Sequence, residues 1–229
     1  MWQTGGMTAT RTARERARAE LTQVIKDEAR RQLAEIGAHG LSLRAVAREL
    51  GMVSSALYRY FPSRDRLLTE LIVDAYNAVG EAAESAAHTG DQRQRWHAIW
   101  QATRKWAKAH PHEYALIYGS PIPGYEAPQD TVIPAGRVGL ALSAVVASAE
   151  LRPLPDAPLP PALRKQSKVV IDALDARVPP ETVVRLIAAW TQLFGAISFE
   201  LFGQYVGTVD PSDAFFLYTA DKMADFVGL

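Results

Sequence analysis

A chain of 229 residues is long enough for two helical units, each with a core of its own. It has no cysteine, which excludes a disulfide framework, a thiol nucleophile and a Cys-based zinc site. The 25 basic and 25 acidic side chains are unevenly spread: residues 1–66 hold 12 Lys/Arg and 7 Asp/Glu, net +5, and the remainder 13 and 18, net −5. Attraction for polyphosphate is therefore confined to one end of the chain.

Residues 1–13 read as a flexible amino-terminal arm; Met1–Gly6 has no pattern, and Met7 is an alternative start. Arg11, Arg14, Arg16 and Arg18 are either a basic arm for a nucleic-acid backbone or minor groove, or a solvated tail interleaved with Glu15 and Glu20. A first helix over Arg14–Ile36 turns Leu21, Val24, Ile25, Ala29, Leu33 and Ile36 inward. In the next segment Leu43, Val46, Ala47 and Leu50 stand at i, i+3, i+4 and i+7, the stripe of an amphipathic helix. Ser42 is placed as its N-cap, and Gly51 is free to take the left-handed conformation that closes it. Ser54 offers a second cap, and Leu57 and Phe61 face inward at i, i+4. At 100° per residue Ser55 and Arg59 then point away from Leu57, with Tyr58 on the flank. Pro62 stops this helix, and Ser63 caps the next, with Asp65 in its first turn. Met52–Arg64 contains hydroxyls, tyrosines and arginines but no carboxylate. Two short helices around a glycine turn with such a face form a helix-turn-helix, which fits the major groove of duplex DNA.

The run Leu41-Ser-Leu-Arg-x-Val-Ala-x-x-Leu-Gly51, with Ser55-x-Leu-Tyr-x-Tyr-Phe-x-Ser-Arg-x-x-Leu-Leu68, resembles the TetR family of one-component bacterial transcription regulators. The resemblance implies an all-α homodimer with one three-helix DNA-binding domain per subunit (residues 14–66) and a larger helical ligand-binding and dimerisation domain (67–229). Carried over position by position, it implies that Ser42, Tyr58 and Tyr60 hold phosphates, and that Arg44, Ser54 and Ser55 meet base edges or the groove floor. Arg64 stands where the family usually has lysine and is expected to meet a phosphate, as a planar fork rather than a point charge. With Arg59 on the outward face, these complete the expected DNA-binding set.

Downstream the pattern is helical almost throughout. A connector helix from Arg64 to about Ala87 presents Leu67, Leu68, Leu71, Ile72, Ala75, Tyr76 and Val79, and His88–Asp91 breaks it. Arg93–Ala109 carries Trp96, Trp100 and Trp106 and ends at His110-Pro111; a Pro/Gly-rich loop, Gly119–Pro128, follows Tyr114 and Tyr118. Ile133–Glu150 is apolar and helical, and the prolines of Arg152–Pro161 mark a surface linker. Leu163–Arg177 is another candidate helix, and Glu181–Val206 and Pro211–Val227 close the chain, the last with Asp210 as N-cap and Pro211 at N1. Glu181–Val206 is apolar almost all round, so several of its sides need covering. In the resembled family two such helices per subunit make the dimer interface; burial within one subunit is the alternative.

This region is also similar to a TetR subgroup marked by a Trp-His-Gly motif. The likeness runs through Trp96, Trp106-Ala, His110-Pro, Tyr114, Gly119-x-Pro-x-Pro-Gly-Tyr125, Ala127-Pro and Trp190-x-x-Leu-Phe-Gly195, with Phe194 in place of the histidine. Trp100, Trp106, Tyr114, Tyr118, Trp190 and Phe194 are the candidate walls of a ligand cavity; ordinary core packing is the other role open to each. The expected partners are an operator duplex, a small apolar or aromatic effector, and a second subunit through 181–206 and 211–227.

No Gly-rich phosphate loop, nucleophile elbow or His-Glu-x-x-His occurs, and His110-x-His112 lacks a third ligand, so no enzyme, cofactor or metal is expected. An apolar signal core is absent, and Leu186–Phe199 spans 14 residues against the ~20 that cross a bilayer, so a cytoplasmic location is expected. The function expected is a ligand-responsive regulator, in the family usually a repressor. The alternative is a DNA-binding regulator without a small-molecule effector, controlled by a protein partner or by abundance.

Overall fold

The computed structural model describes residues 5–153, 158–174 and 178–229, the side chains of 5–11 and 173–174 excepted. The Arg11 side chain, Arg177 and residues 154–157 of the expected linker lie outside the described residues. Among those described, every regular element is helical: α1 (Gly5–Gly40), α2 (Leu43–Glu49), α3 (Ser54–Leu57), α4 (Arg64–Ala86), α5 (Gln92–Ala109), α6 (Pro111–Tyr118), α7 (Val132–Ala147), α8 (Pro161–Leu174), α9 (Pro180–Leu201) and α10 (Asp213–Val227), with a 3-10 turn at Gln129–Thr131.

The chain divides into two compact units. Among the described residues, the first takes those up to Asp74 together with Ser120–Pro128; the second takes Ala75–Gly119 and Gln129–Leu229. The boundary falls inside α4, eight residues beyond the Arg66 end expected from the sequence, because the first half of α4 is bound to α1. Lys26 of α1 pairs with Glu70 at 3.2 Å and Asp74 at 3.1 Å, and Arg30 reaches Asp74 at 2.6 Å. Beneath that layer Ile25, Ala29, Leu33, Leu43, Val46, Ala47, Leu57, Phe61, Leu67, Leu68 and Leu71 are buried together. Tyr125, from the Pro/Gly-rich loop, adds a hydroxyl–hydroxyl hydrogen bond to Thr69 at 2.9 Å.

Within this unit α1 carries helical backbone from Gly5, so residues 5–13 continue the helix where an arm is expected. Its regular course breaks at Gly37, φ 70° and ψ 173°, one residue past the expected end. Val24 and Ile36, expected to face inward, are exposed, because Ile25, Ala29 and Leu33 already fill the face that meets α2 and α4.

The second unit is a bundle whose core holds Trp96, Ile99, Trp100, Tyr114, Leu142, Val145, Leu193, Ile197 and Phe216. α5 begins with a capping box, Asp91 accepting from the Gln94 backbone N–H while Gln94 accepts from that of Asp91. α6 is an additional helix: Pro111, read from the sequence as a stop, sits at its first turn, where a missing N–H costs nothing. α9 ends at Leu201 rather than Val206, as Gly203 and Gly207 take positive φ in the turns that follow. α10 starts two residues late, with Ser212 rather than Asp210 as its N-cap. By length and composition alone, Gln129–Ala147 and α9 qualify as membrane-crossing helices. Both pack in this bundle, burying Val138, Leu142 and Val145 of the one and Leu193, Phe194 and Ile197 of the other.

Ion pairs bind the bundle's margins. Arg93 joins Asp221 at 2.7 Å and Asp225 at 2.9 Å, and Arg104 joins Glu200 at 2.6 Å and Asp213 at 2.9 Å. Arg137 of α7 joins Glu84 of α4 at 2.6 Å.

Candidate nucleic-acid interface

The local chemistry that builds α2 and α3 also fixes which side chains remain outside. Leu43, Val46 and Ala47 of α2 and Leu57 of α3 are buried; Gly51 turns the chain between the helices at φ 64°. Ser42 occupies the N-cap of α2, yet its hydroxyl accepts no cap hydrogen bond from the first turn. Val53, not Ser54, is the N-cap of α3, because its extended backbone (φ −69°, ψ 136°) makes Ser54 the first helical residue. α3 itself is a single turn continued by tight turns, with Tyr58 and Arg59 donating their backbone N–H groups to Ser54 and Ala56.

Arg44, Ser55, Tyr58 and Arg59 are exposed, and Ser42, Ser54 and Tyr60 half-buried. The side chains of Arg44 and Arg59 have no carboxylate or hydrogen-bond partner among the described residues, in contrast to the paired arginines of α1. Unpaired guanidinium groups beside hydroxyls, with no carboxylate from Met52 to Arg64, are chemically suited to phosphate and to purine edges. Arg18 stands with its guanidinium carbon 5.3 Å from the Tyr60 ring centre and an N–H 3.4 Å from the Arg59 carbonyl, so that one expected arm residue packs on the helix-turn-helix.

Arg64 is placed differently from a free phosphate ligand. Its Nη2 donates to the Ala38 carbonyl at 2.7 Å and its Nε to that of Leu41 at 3.1 Å, closing the link between α1 and α2. Sequence reading misses this role because both acceptors are backbone atoms more than twenty residues away.

The six candidate cavity residues fall into three groups in the second unit. Tyr118 stacks on Phe194 with ring centres 4.0 Å apart, Trp190 meets Phe194 edge-on at 6.0 Å, and Tyr114 adjoins Tyr118 at 5.2 Å. Trp100 lies instead between Trp96 and Phe216, and Trp106 stacks on His110. The Tyr114 hydroxyl donates to the Phe194 carbonyl at 3.0 Å and meets Ser198 at 2.8 Å; burial pushes its pKa up to about 12, against the lowering effect of Ser198. Burial first, then Tyr76 and Tyr114, raises that of Tyr118 as well, and its hydroxyl has no hydrogen-bond partner among the described residues. Of the six, Trp190 alone borders a cavity of about 320 Å³ between α7, α8 and α9. The sequence carried one trace of that cavity, the i, i+3 glycine pair Gly136 and Gly139 within a helix. No cluster of three metal-ligating side chains occurs among the described residues.

A helix-turn-helix with an unpaired cationic face, followed by a separate helical bundle, defines a two-unit DNA-binding protein. Family models agree with that class: "Bacterial regulatory proteins, tetR family" matches residues 25–71, and "Tetracyclin repressor-like, C-terminal domain" matches residues 96–223. The HTH-type transcriptional regulator Rv1816 of Mycobacterium tuberculosis is 39% identical over 214 residues, covering 90% of this chain and 89% of that protein. The crystal structure of the protein SCO4313 superposes with a TM-score of 0.79 at 33% identity, covering 92% of this chain and 98% of that one. A protein from Rhodococcus sp. RHA1 shares the fold with a TM-score of 0.67 at 23% identity, covering 91% and 96%. The chain belongs to the tetR family of bacterial transcription regulators, DNA-binding proteins that are not enzymes.

Proposed function

We propose that the protein is a ligand-responsive repressor that acts in the cytoplasm, binds a palindromic operator as a homodimer, and leaves it when a small apolar effector enters the helical unit. The observation that carries the reading is the exposed, unpaired Arg44–Ser55–Tyr58–Arg59 face. Ser42, Tyr58 and Tyr60 are the phosphate ligands in this reading, and Arg44, Ser54 and Ser55 the groups at the base edges. Arg64 serves chiefly by holding α2 in place.

Dimerisation uses α9 and α10. An uncharged strip of α9, with Ile187, Ala188, Thr191, Gln192 and Phe199 exposed, leads to Phe202 just beyond it, and Leu217 and Tyr218 of α10 are also exposed. A strip of this length without charge supports a subunit interface. The bundle is of the Trp-His-Gly type, with the histidine's place taken by Phe194, whose ring packs between Tyr118 and Trp190.

Ligand acts by population shift: it favours a dimer in which the two recognition helices no longer match successive major grooves, ~34 Å apart. A loss of about 1.4 kcal/mol in that fit weakens binding tenfold. Support for a mechanical route comes from Arg137, which ties α7, a wall of the cavity, to the carboxyl half of α4.

The test is selection of binding sites from a random duplex pool, followed by affinity measurement with and without compounds that raise the melting temperature. Recovery of an inverted repeat and loss of affinity with a bound compound are expected. Unchanged affinity with every bound compound would favour control by a protein partner or by abundance instead.

A further inference from the structure

α7 forms one wall of the cavity in the helical unit and carries two glycines one turn apart, Gly136 and Gly139, both on that wall. A Cβ built on Gly136 meets no atom within 4 Å; one on Gly139 comes to 3.7 Å from Trp190 Nε1. Gly136 thus faces an open space of about 320 Å³, enough for a small guest, while Gly139 lets the Trp190 ring pack against α7. Leu140, Val146, Val170 and Ile187 are typical of the remaining lining, which among the described residues contains no charged side chain.

Two of the described lining side chains, Ser143 of α7 and Trp190 of α9, carry polar atoms. The Ser143 hydroxyl gives its proton to the Gly139 carbonyl at 2.8 Å and keeps only acceptor capacity. The Trp190 indole N–H is buried with no hydrogen-bond partner among the described residues, and it packs beside Gly139. A buried donor without an acceptor is costly, and a guest carrying one acceptor relieves it. An ion entering this space loses its hydration and finds neither countercharge nor several donors in return.

We propose that this cavity binds an uncharged, mainly aliphatic molecule with a single hydrogen-bond acceptor directed at Trp190 Nε1. Its role as effector rests on the ligand-responsive reading given above; its chemistry rests on the wall itself.

The experiment titrates the full chain at pH 7.5 with methyl octanoate, octanoate and octylammonium, followed by tryptophan fluorescence and by melting temperature. Methyl octanoate is expected to bind at least tenfold more tightly than either ion. Gly136→Leu, which fills the open space, is expected to abolish that binding in a protein whose unliganded melt remains cooperative. Trp190→Phe is expected to weaken the ester while leaving the charge discrimination. Equal binding of an ion, no binding of the ester up to its solubility, or undiminished ester binding by Gly136→Leu or Trp190→Phe would overturn the proposal. Ester binding without any change in operator affinity would support the cavity's chemistry and refute the ligand-responsive reading instead.

Discussion

Arg137 of α7 and Glu84 of α4 meet through two parallel hydrogen bonds, Nε to Oε1 at 2.8 Å and Nη2 to Oε2 at 2.6 Å. The same guanidinium donates to the Asn77 carbonyl and side chain, both at 3.0 Å. The Arg137 hydrogen bond outweighs burial and holds the Glu84 carboxyl below the ordinary range. α7 comes this close because position 80 is glycine: a Cβ there would lie 2.6 Å from that of Arg137.

Arg137→Ala is therefore expected to lower stability by about 1–2 kcal/mol, both partners being partly solvated. Under the proposed mechanism the ratio of operator dissociation constants with and without methyl octanoate should move toward one, while ester affinity is kept. Gly80→Ala should also destabilise, although alanine is the better helix former by about 1 kcal/mol, because the stem of Arg137 has to move. Urea unfolding and paired operator titrations measure both effects. An unchanged ratio in Arg137→Ala would remove α7 from the signalling route.

Arg44→Ala and Tyr58→Phe probe the proposed interface. Both side chains are exposed and neither supports the core, so stability should change by no more than about half a kcal/mol. Operator affinity should fall in both. For Arg44, a base contact predicts a loss of about 1–3 kcal/mol with relaxed preference at one position of the site. For Tyr58, a phosphate contact made through the hydroxyl predicts a similar loss on every sequence. Competition binding on single-base operator variants separates the two outcomes.

The helix-turn-helix was legible in the sequence because every signal it needs is local. Ser42, Gly51, Leu57 and Phe61 each answer to neighbours within a few residues, and their backbone states and burial follow. α6 was missed for the opposite reason: proline ends one helix and opens the next with equal ease, and only the fold chooses. The cavity was not legible either, since it exists where faces of α7, α8 and α9 meet at long sequence separation. Large aromatic side chains drew attention to the space they fill. The cavity was instead signalled by two residues without side chains, Gly136 and Gly139.

Acid should reveal the charge cluster at the junction of α9 and α10. Burial alone would raise the Glu200 carboxyl, but hydrogen bonds from Arg104 and Lys108 prevail and hold it at about 2, against an ordinary 4.5. A carboxyl depressed in the folded state contributes stability that is complete above its unfolded pKa and is lost as pH falls through the folded one. The window is thus about pH 4.5 down to 2, and the contribution on the order of 3 kcal/mol. Glu200→Gln is expected to be less stable at pH 7, with a shallower loss across that window. Urea midpoints at pH 7, 4.5 and 2.5 test this, and an identical acid slope in wild type and variant would count against it.

Arg64 allows the roles of phosphate ligand and internal tie to be separated. Its two backbone acceptors, Ala38 and Leu41, flank the stretch where α1 has broken and α2 has not begun, so the guanidinium fixes how α2 leaves α1. Arg64→Ala loses two charge-assisted hydrogen bonds and should cost about 2 kcal/mol of stability. Arg64→Lys keeps the charge, but one ammonium cannot reproduce a fork that spans both carbonyls. A phosphate role alone predicts that lysine restores operator affinity fully, that neither variant changes the urea midpoint, and that alanine lowers the slope of log affinity against log salt by about one ion. The tie predicts a lowered midpoint in both variants, only partial recovery of affinity with lysine, and a salt slope close to that of the unsubstituted protein.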